Sequence, residues 1–254
     1  MKTHLHFQRL SSTNIYMREL VKKYPATQMR ALFPPFFAVT ANEQENGHGR
    51  QGKKWESETG KNLLLSLLLY PNVPPSKQFN ICQYVSIAAA DVIRDTFSVP
   101  DVSIKWPNDI YVRDKKISGI LIEHFIQGES INYSIVGIGI NINQRTFPAS
   151  LPPTTSLLLE TGKEHEIKTC MENLIEKMKQ TEQLSDAALK MRYEHCLYRK
   201  GKFACFVLPA ISATPMLLQI TGVDEIGRLQ LVDKNNIPYS CAFNEIVYCL
   251  SVDD

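Results

Sequence analysis

Val102-Ser103-Ile104-Lys105-Trp106-Pro107-Asn108-Asp109-Ile110-Tyr111-Val112-Arg113-Asp114-Lys115-Lys116-Ile117-Ser118-Gly119-Ile120-Leu121-Ile122 holds short apolar runs of period two, split by a proline turn and by Asp114-Lys115-Lys116. That pattern predicts successive strands of one sheet. Tyr133 to Ile142 reads as the next strand, beyond a Gly128-Glu129-Ser130 turn. Working outward, residues 76–97 carry Phe79, Cys82, Val85, Ala89, Val92 and Ile93 at mostly helical spacing, and Ile167, Cys170, Met171, Leu174, Ile175 and Met178 do the same after Glu166. A further helix is predicted at about 184–195. Upstream, Ser11-Ser12-Thr13-Asn14 before Ile15, Met17, Leu20 and Val21 marks a capped helix start. Phe36 to Asn42 and Asn62 to Tyr70 read as strands on either side of a polar, glycine-rich loop. After Arg199-Lys200-Gly201 the texture changes to short strands at 203–208, 217–221, 228–232 and 245–250. The predicted fold class is α+β: a mixed-sheet domain over residues 1–198, then a small β-barrel over 199–254.

Composition narrows the function. The 28 Lys and Arg residues nearly balance 26 Asp and Glu, so no polyanionic partner is indicated and nucleic-acid binding is not expected. Six cysteines form no Cys-x-x-Cys pair, which points to neither a zinc site nor a redox couple. The first residues contain no apolar signal core, and the longest apolar stretch, Leu63 to Tyr70, falls far short of the about 18 residues a membrane span needs. The expectation is a reduced cytoplasmic protein with no membrane partner.

Three strings carry chemistry. Gly47-His48-Gly49-Arg50-Gln51-Gly52 satisfies a dinucleotide fingerprint by its letters, and Lys53 brings it near a P-loop. Both motifs require a helix to start at the loop, and Trp55-Glu56-Ser57-Glu58-Thr59-Gly60 offers none, so both are rejected. Two readings stay open: a solvated turn, or backbone N–H groups and the Arg50 guanidinium converging on a small anion. In the second string, Pro107 holds Trp106 out of the helical region and places Asn108 and Asp109 at a strand start. Asp109 there could hold Mg²⁺ or act on an attacking amine, and a hairpin could bring Lys116 back beside it; an unremarkable carboxylate and an exposed turn lysine, like Lys115, remain the alternative. Third, Gly137 and Gly139 share a strand face with Asn141, as either a bulge or a place where a ligand lies on bare backbone.

Together, in order along almost the whole chain, these strings resemble the biotin protein ligases (biotin–[acetyl-CoA-carboxylase] ligases), in a short form without an N-terminal DNA-binding domain. The resemblance rests on Ser12-Thr13-Asn14, Gln44, the Gly47–Gly52 loop with Trp55, Lys105 to Asp109, Lys116 with Ser118 to Glu123, Gly137 to Asn141, and the C-terminal Gly222-Val223-Asp224 and Gly227-Arg228-Leu229. It implies a catalytic domain of the biotin/lipoate ligase type and an SH3-like C-terminal barrel. The implied reaction joins biotin to ATP as biotinyl-AMP, then moves biotin to a lysine of a biotin carboxyl carrier protein. By position, Lys116, Asp109 and Arg50 would be catalytic. Ser12, Thr13, Gln44, Gly119, Gly137 and Gly139 would bind biotin. Gly47, Gly49, Arg50, Gly52, Trp55, Asn108 and Asn141 would serve ATP and its Mg²⁺, whose ligands are left open.

Two departures stand out: His48 where the family commonly has an arginine, and Phe243-Asn244-Glu245-Ile246 where it often has Gly-Glu-Val. The second is expected not to touch the chemistry. Lipoate–protein ligase, a sister activity, lacks its usual Arg-Arg-x-Ser-Gly-Gly-Gly run here. A biotin-responsive repressor would need a helix-turn-helix domain for which the pattern, starting at Ser12, leaves no room. A non-catalytic biotin-binding module is opposed only by Lys116, Asp109 and Arg50.

Overall fold

The computed structural model describes residues 3–49, 52 and 54–249. The chain begins with β1 (His4–Leu10), then α1 (Thr13–Val21), α2 (Ala26–Leu32), β2 (Phe37–Gln44) and β3 (Leu63–Leu69). A longer helix, α3 (Gln78–Asp91), runs into a π-helical turn at Val92–Thr96 and is followed by β4 (Val102–Lys105), β5 (Asp109–Val112), β6 (Lys115–Gln127) and β7 (Ser130–Ile140). Then come α4 (Leu157–Thr161), α5 (Ile167–Glu182) and α6 (Asp186–His195). The last strands are β8 (Phe203–Leu208), β9 (Ser212–Val223), β10 (Leu229–Val232), β11 (Pro238–Cys241) and β12 (Val247–Tyr248).

Seven strands form one mixed sheet in the order β1-β2-β3-β7-β6-β5-β4, antiparallel except for the β1–β2 pair. A five-stranded antiparallel sheet, ordered β11-β10-β9-β8-β12, follows. The α+β expectation therefore holds, with a mixed first sheet and a separate C-terminal sheet. Four elements lay outside the sequence reading: β1, α2, the single-turn α4 and β11. β9 is longer than expected, and of the last predicted strand, 245–250, only Val247–Tyr248 is formed, as β12.

Central strand β3 shows why the sheet is covered on both faces. Leu63 to Leu69 are buried throughout, without the alternation of a half-exposed strand. Leu68, with Val39 and Ile135, packs under Met17 and Val21 of α1 and Met29 of α2. Leu65 and Leu67 turn the other way, into the core shared with Val85 and Ala89 of α3 and Leu174 and Met178 of α5. Full burial of one such leucine contributes about 1.5–3 kcal/mol. Ser66 interrupts this strand on the α1 side and is itself wholly buried.

Candidate active site

The functional strings meet on the α1 face of the large sheet. By cross-strand register Gly119 of β6 lies opposite Gly139 of β7, and Gly137 lies opposite both Ser66 of β3 and Leu121 of β6. Paired glycines leave bare backbone in mid-sheet, and neighbouring side chains use the space. A Cβ on Gly139 would stand 2.5 Å from the Trp55 ring, and one on Gly137 would stand 2.5 Å from Asn14 Oδ1. Neither Gly137 nor Gly139 sits at a bulge: β7 pairs with β3 without a register shift from Ser134 to Ile140, and the Trp55 and Asn14 side chains lie on the bare backbone. These strands floor a cavity of about 780 Å³.

One end of the cavity is polar, with most of its groups bonded to one another. Ser12 sits at the N-cap of α1 in extended backbone (φ −159°) but makes no capping bond, so its buried hydroxyl remains available on the cavity wall. Thr13 donates to Gln44 Oε1 twice, from its backbone N at 2.7 Å and its hydroxyl at 3.1 Å. That fixes the Gln44 carbonyl against the protein and leaves its Nε2 to donate elsewhere. Ser12, Thr13 and Gln44 are thus brought together, as the sequence led one to expect.

The reactive end lies across the glycine patch. The β5–β6 hairpin, with a register shift between Ile110 and Tyr111, sets Lys116 Nζ 2.7 Å from Asp109 Oδ1. Both side chains are partly exposed and line the cavity, whereas Lys115 points out to solvent. The Lys116 ammonium also lies 5.8 Å from the Trp55 ring centroid. Asn108 donates its amide to the Ile120 carbonyl. Asn141 donates Nδ2 to the Thr155 carbonyl at 3.0 Å, while its Oδ1 is buried with no partner among the described residues. Trp55 Nε1 is likewise buried without an acceptor. An unpaired buried donor and acceptor at one end of a cavity call for a ligand or ordered water.

Trp106 and Pro107, joined by a cis peptide bond, are clamped from three sides. Trp106 Nε1 donates to the Gly227 carbonyl at 3.0 Å, and the Pro107 carbonyl accepts from the Tyr193 hydroxyl at 2.7 Å and from Cys82 Sγ at 3.3 Å. The C-terminal sheet therefore helps hold the pentad. It also walls the cavity with Phe243, Asn244, Ile246 and Tyr248, against the expectation that this segment stands apart from the chemistry. Sequence reasoning missed this wall because no local pattern announces a contact more than 130 residues away. Lys105 Nζ sits 4.9 Å from the ring centroids of both Tyr111 and Tyr248. Burial pushes both phenols far above their usual range, so the lysine faces neutral rings.

The glycine-rich loop is divided. Between Gln44 and Leu63 the described residues form no α-helix, consistent with rejecting the phosphate-loop motifs. His48 bridges to Lys54 as an antiparallel pair, and Gly47 lies tight beneath Trp55, whose N–H donates to its carbonyl at 2.9 Å. His48, Gly49 and Trp55 reach the cavity. Gly52 does not; it is exposed with φ +72°, and among the described residues nothing lies within 4 Å of where its Cβ would stand. Arg50 lies outside the described residues.

The model of the biotin/lipoate A/B protein ligase family matches residues 10–141, more than half of the chain. The bifunctional ligase/repressor BirA of Bacillus subtilis is 34% identical over 128 residues, covering 50% of this chain and 39% of that protein. The biotin–[acetyl-CoA-carboxylase] ligase of Mycobacterium tuberculosis is 28% identical over 127 residues, covering 49% and 45%. The matches thus span less than half the length of these relatives. In fold, the chain is similar to the biotin protein ligase from Aquifex aeolicus in complex with biotin and ATP. The TM-score is 0.73 at 24% identity, over 97% of this chain and 98% of that one. From the matched residues and the fold together, this chain belongs to the biotin/lipoate A/B protein ligase family.

Proposed function

We propose that this chain is a biotin protein ligase, activating biotin with ATP to biotinyl-AMP and passing the biotinyl group to a lysine of a biotin carboxyl carrier protein. The observation that carries this reading is the Lys116–Asp109 pair at 2.7 Å, set one glycine patch away from a polar pocket. Biotin has matching parts: a ureido head rich in hydrogen-bonding groups, an apolar chain and a terminal carboxylate. The head binds Ser12, Thr13 and Gln44, the chain runs beside Trp55 along the patch of Gly119, Gly137 and Gly139, and the carboxylate arrives at Lys116.

A carboxylate oxygen then attacks the α-phosphorus of ATP, and the bond to the β,γ-diphosphate breaks with its electron pair leaving on pyrophosphate. The Lys116 ammonium offsets negative charge on the carboxylate and on the phosphoryl oxygens as it develops. Arg50 adds a second charge from the loop. Asn108 and Asn141 place the nucleotide, and Trp106, Phe243 and Ile246 give its base an apolar wall. Among the described residues no group of three or more His, Cys, Asp or Glu side chains could hold a metal ion. Mg²⁺ would accompany the triphosphate and neutralise its charge.

In the second half-reaction the neutral acceptor amine attacks the acyl carbon, the bond to AMP breaks, and the nitrogen sheds a proton. With Oδ1 on Lys116, Asp109 keeps Oδ2 for orienting that amine. No described helix is long and apolar enough to cross a membrane, and among the described residues no cysteine forms a disulfide. Reduced thiols and ATP chemistry suit the cytoplasm.

ATP–pyrophosphate exchange with biotin, with lipoate and with neither acid tests the reading. Exchange with biotin alone is expected. Exchange with lipoate in its place would move the chain to the sister activity, and tight biotin binding without exchange would make it a binding module.

A further inference from the structure

Two residues inside the ligase strings have no task so far: Asn14 and Glu123. The structure joins them. Asn14 Nδ2 donates to Glu123 Oε2 at 3.0 Å, and the other carboxylate oxygen, Oε1, accepts from Arg18 Nη1 at 3.1 Å. Asn14 is almost fully buried at the start of α1, and Glu123 reaches it from β6, across β7 and 109 residues along the chain. A carboxylate only accepts hydrogen bonds, so the Asn14 amide has one orientation: nitrogen toward Glu123, oxygen inward.

That oxygen meets Ser66 Oγ at 2.6 Å, and Ser66 Oγ lies 2.8 Å from Thr13 Oγ1. Ser66 is the single hydroxyl in a strand of six leucines, and burying it unpaired would cost about 1–3 kcal/mol. Asn14 Oδ1 cannot donate, so it claims a share of the one Ser66 proton. Thr13 Oγ1 takes the other share of that proton and donates its own to Gln44 at 3.1 Å, leaving one lone pair to face the cavity. Gly137 matters for the same reason. Its missing Cβ is what admits the Asn14 amide, 2.5 Å from where that carbon would stand, so no side chain of β7 holds the amide in place of Glu123.

We infer that Glu123, braced by Arg18, is a positioning residue for the biotin head: it fixes the Asn14 amide, and through Ser66 sets Thr13 as a hydrogen-bond acceptor toward the ligand. It touches no substrate, so it acts on biotin binding and not on the reacting atoms. The inference rests on the biotin ligase reading, and its test separates the two.

Biotin-dependent ATP–pyrophosphate exchange is measured for wild type, Glu123→Gln, Glu123→Ala, Asn14→Ala and the Glu123→Ala/Asn14→Ala double variant, each with a melting temperature. Glu123→Ala is expected to raise the KM for biotin about tenfold, with kcat and the KM for ATP within about twofold. Glu123→Gln keeps an acceptor for Asn14 but loses the Arg18 pair, so it falls between; being isosteric, it carries the test if the alanine variant folds poorly. In the Asn14→Ala background, Glu123→Ala should add nothing, because its effect passes through that amide. An unchanged biotin KM with only a lowered melting temperature overturns the inference, as does full additivity of the two substitutions. Wild type without any biotin-dependent exchange would instead remove the ligase reading, and the inference with it.

Discussion

The two ends of the cavity are built on opposite principles. At the α1 end, Thr13, Gln44, Ser66 and Asn14 satisfy one another through bonds of 2.6–3.1 Å. At the β5–β6 end, Trp55 Nε1 and Asn141 Oδ1 are buried without partners among the described residues, and a charged pair is partly exposed to solvent. The lesson concerns timing. A pocket whose groups are already bonded to one another is pre-organised and can discriminate a small polar head with little rearrangement. A site with free donors and acceptors is finished only when its substrates arrive, which suits groups that stabilise charge formed during reaction.

If this division is right, substitutions at the two ends should fail differently. Lys116→Ala should lower biotin-dependent pyrophosphate exchange by about 10²–10³-fold, while biotin affinity, measured by titration calorimetry, stays within a few-fold. Comparable loss of both would erase the distinction. Gly139→Val adds atoms where Trp55 already lies at 2.5 Å from a Cβ. It should weaken biotin binding by about ten- to a hundredfold, and unaltered affinity would show that the bare backbone is not the chain-binding surface. Trp55→Phe removes a donor that has no partner among the described residues. The ligand-free melting temperature should therefore not fall, although biotin binding weakens severalfold. A clear drop in melting temperature would mean that the indole N–H is already satisfied in solution. Arg9→Ala breaks an exposed pair with Glu43 at 3.2 Å and should alter stability by no more than about 0.5 kcal/mol, serving as the solvent-exposed control.

How far the sequence speaks also differs between the two ends. Short-range pattern located the α1 start, the leucine-rich strand and the β5–β6 hairpin, because each is set by spacing within about ten residues. The Lys116–Asp109 meeting was legible for the same reason, as a hairpin returns a side chain to its neighbour strand. What stayed hidden was long-range. Asn14, Ser66 and Glu123 meet across separations of 52 and 109 residues, and nothing in their local spacing marks them as one network. The wall contributed by Phe243 to Tyr248 was invisible on the same grounds, and its segment looked remote from the chemistry. β1 was missed for a different reason: its apolar positions, Leu5 and Phe7, make too short an alternation to separate from an irregular terminus. α4 is a single turn whose apolar residues fit strand or helix equally.

The measurement that bears most directly on the central claim is the mass of an isolated biotin carboxyl carrier domain after incubation with this protein, biotin and Mg-ATP. The account predicts a gain of one biotinyl group on its acceptor lysine, dependent on both biotin and ATP. An unchanged carrier mass, with the enzyme folded and biotin bound, would contradict it.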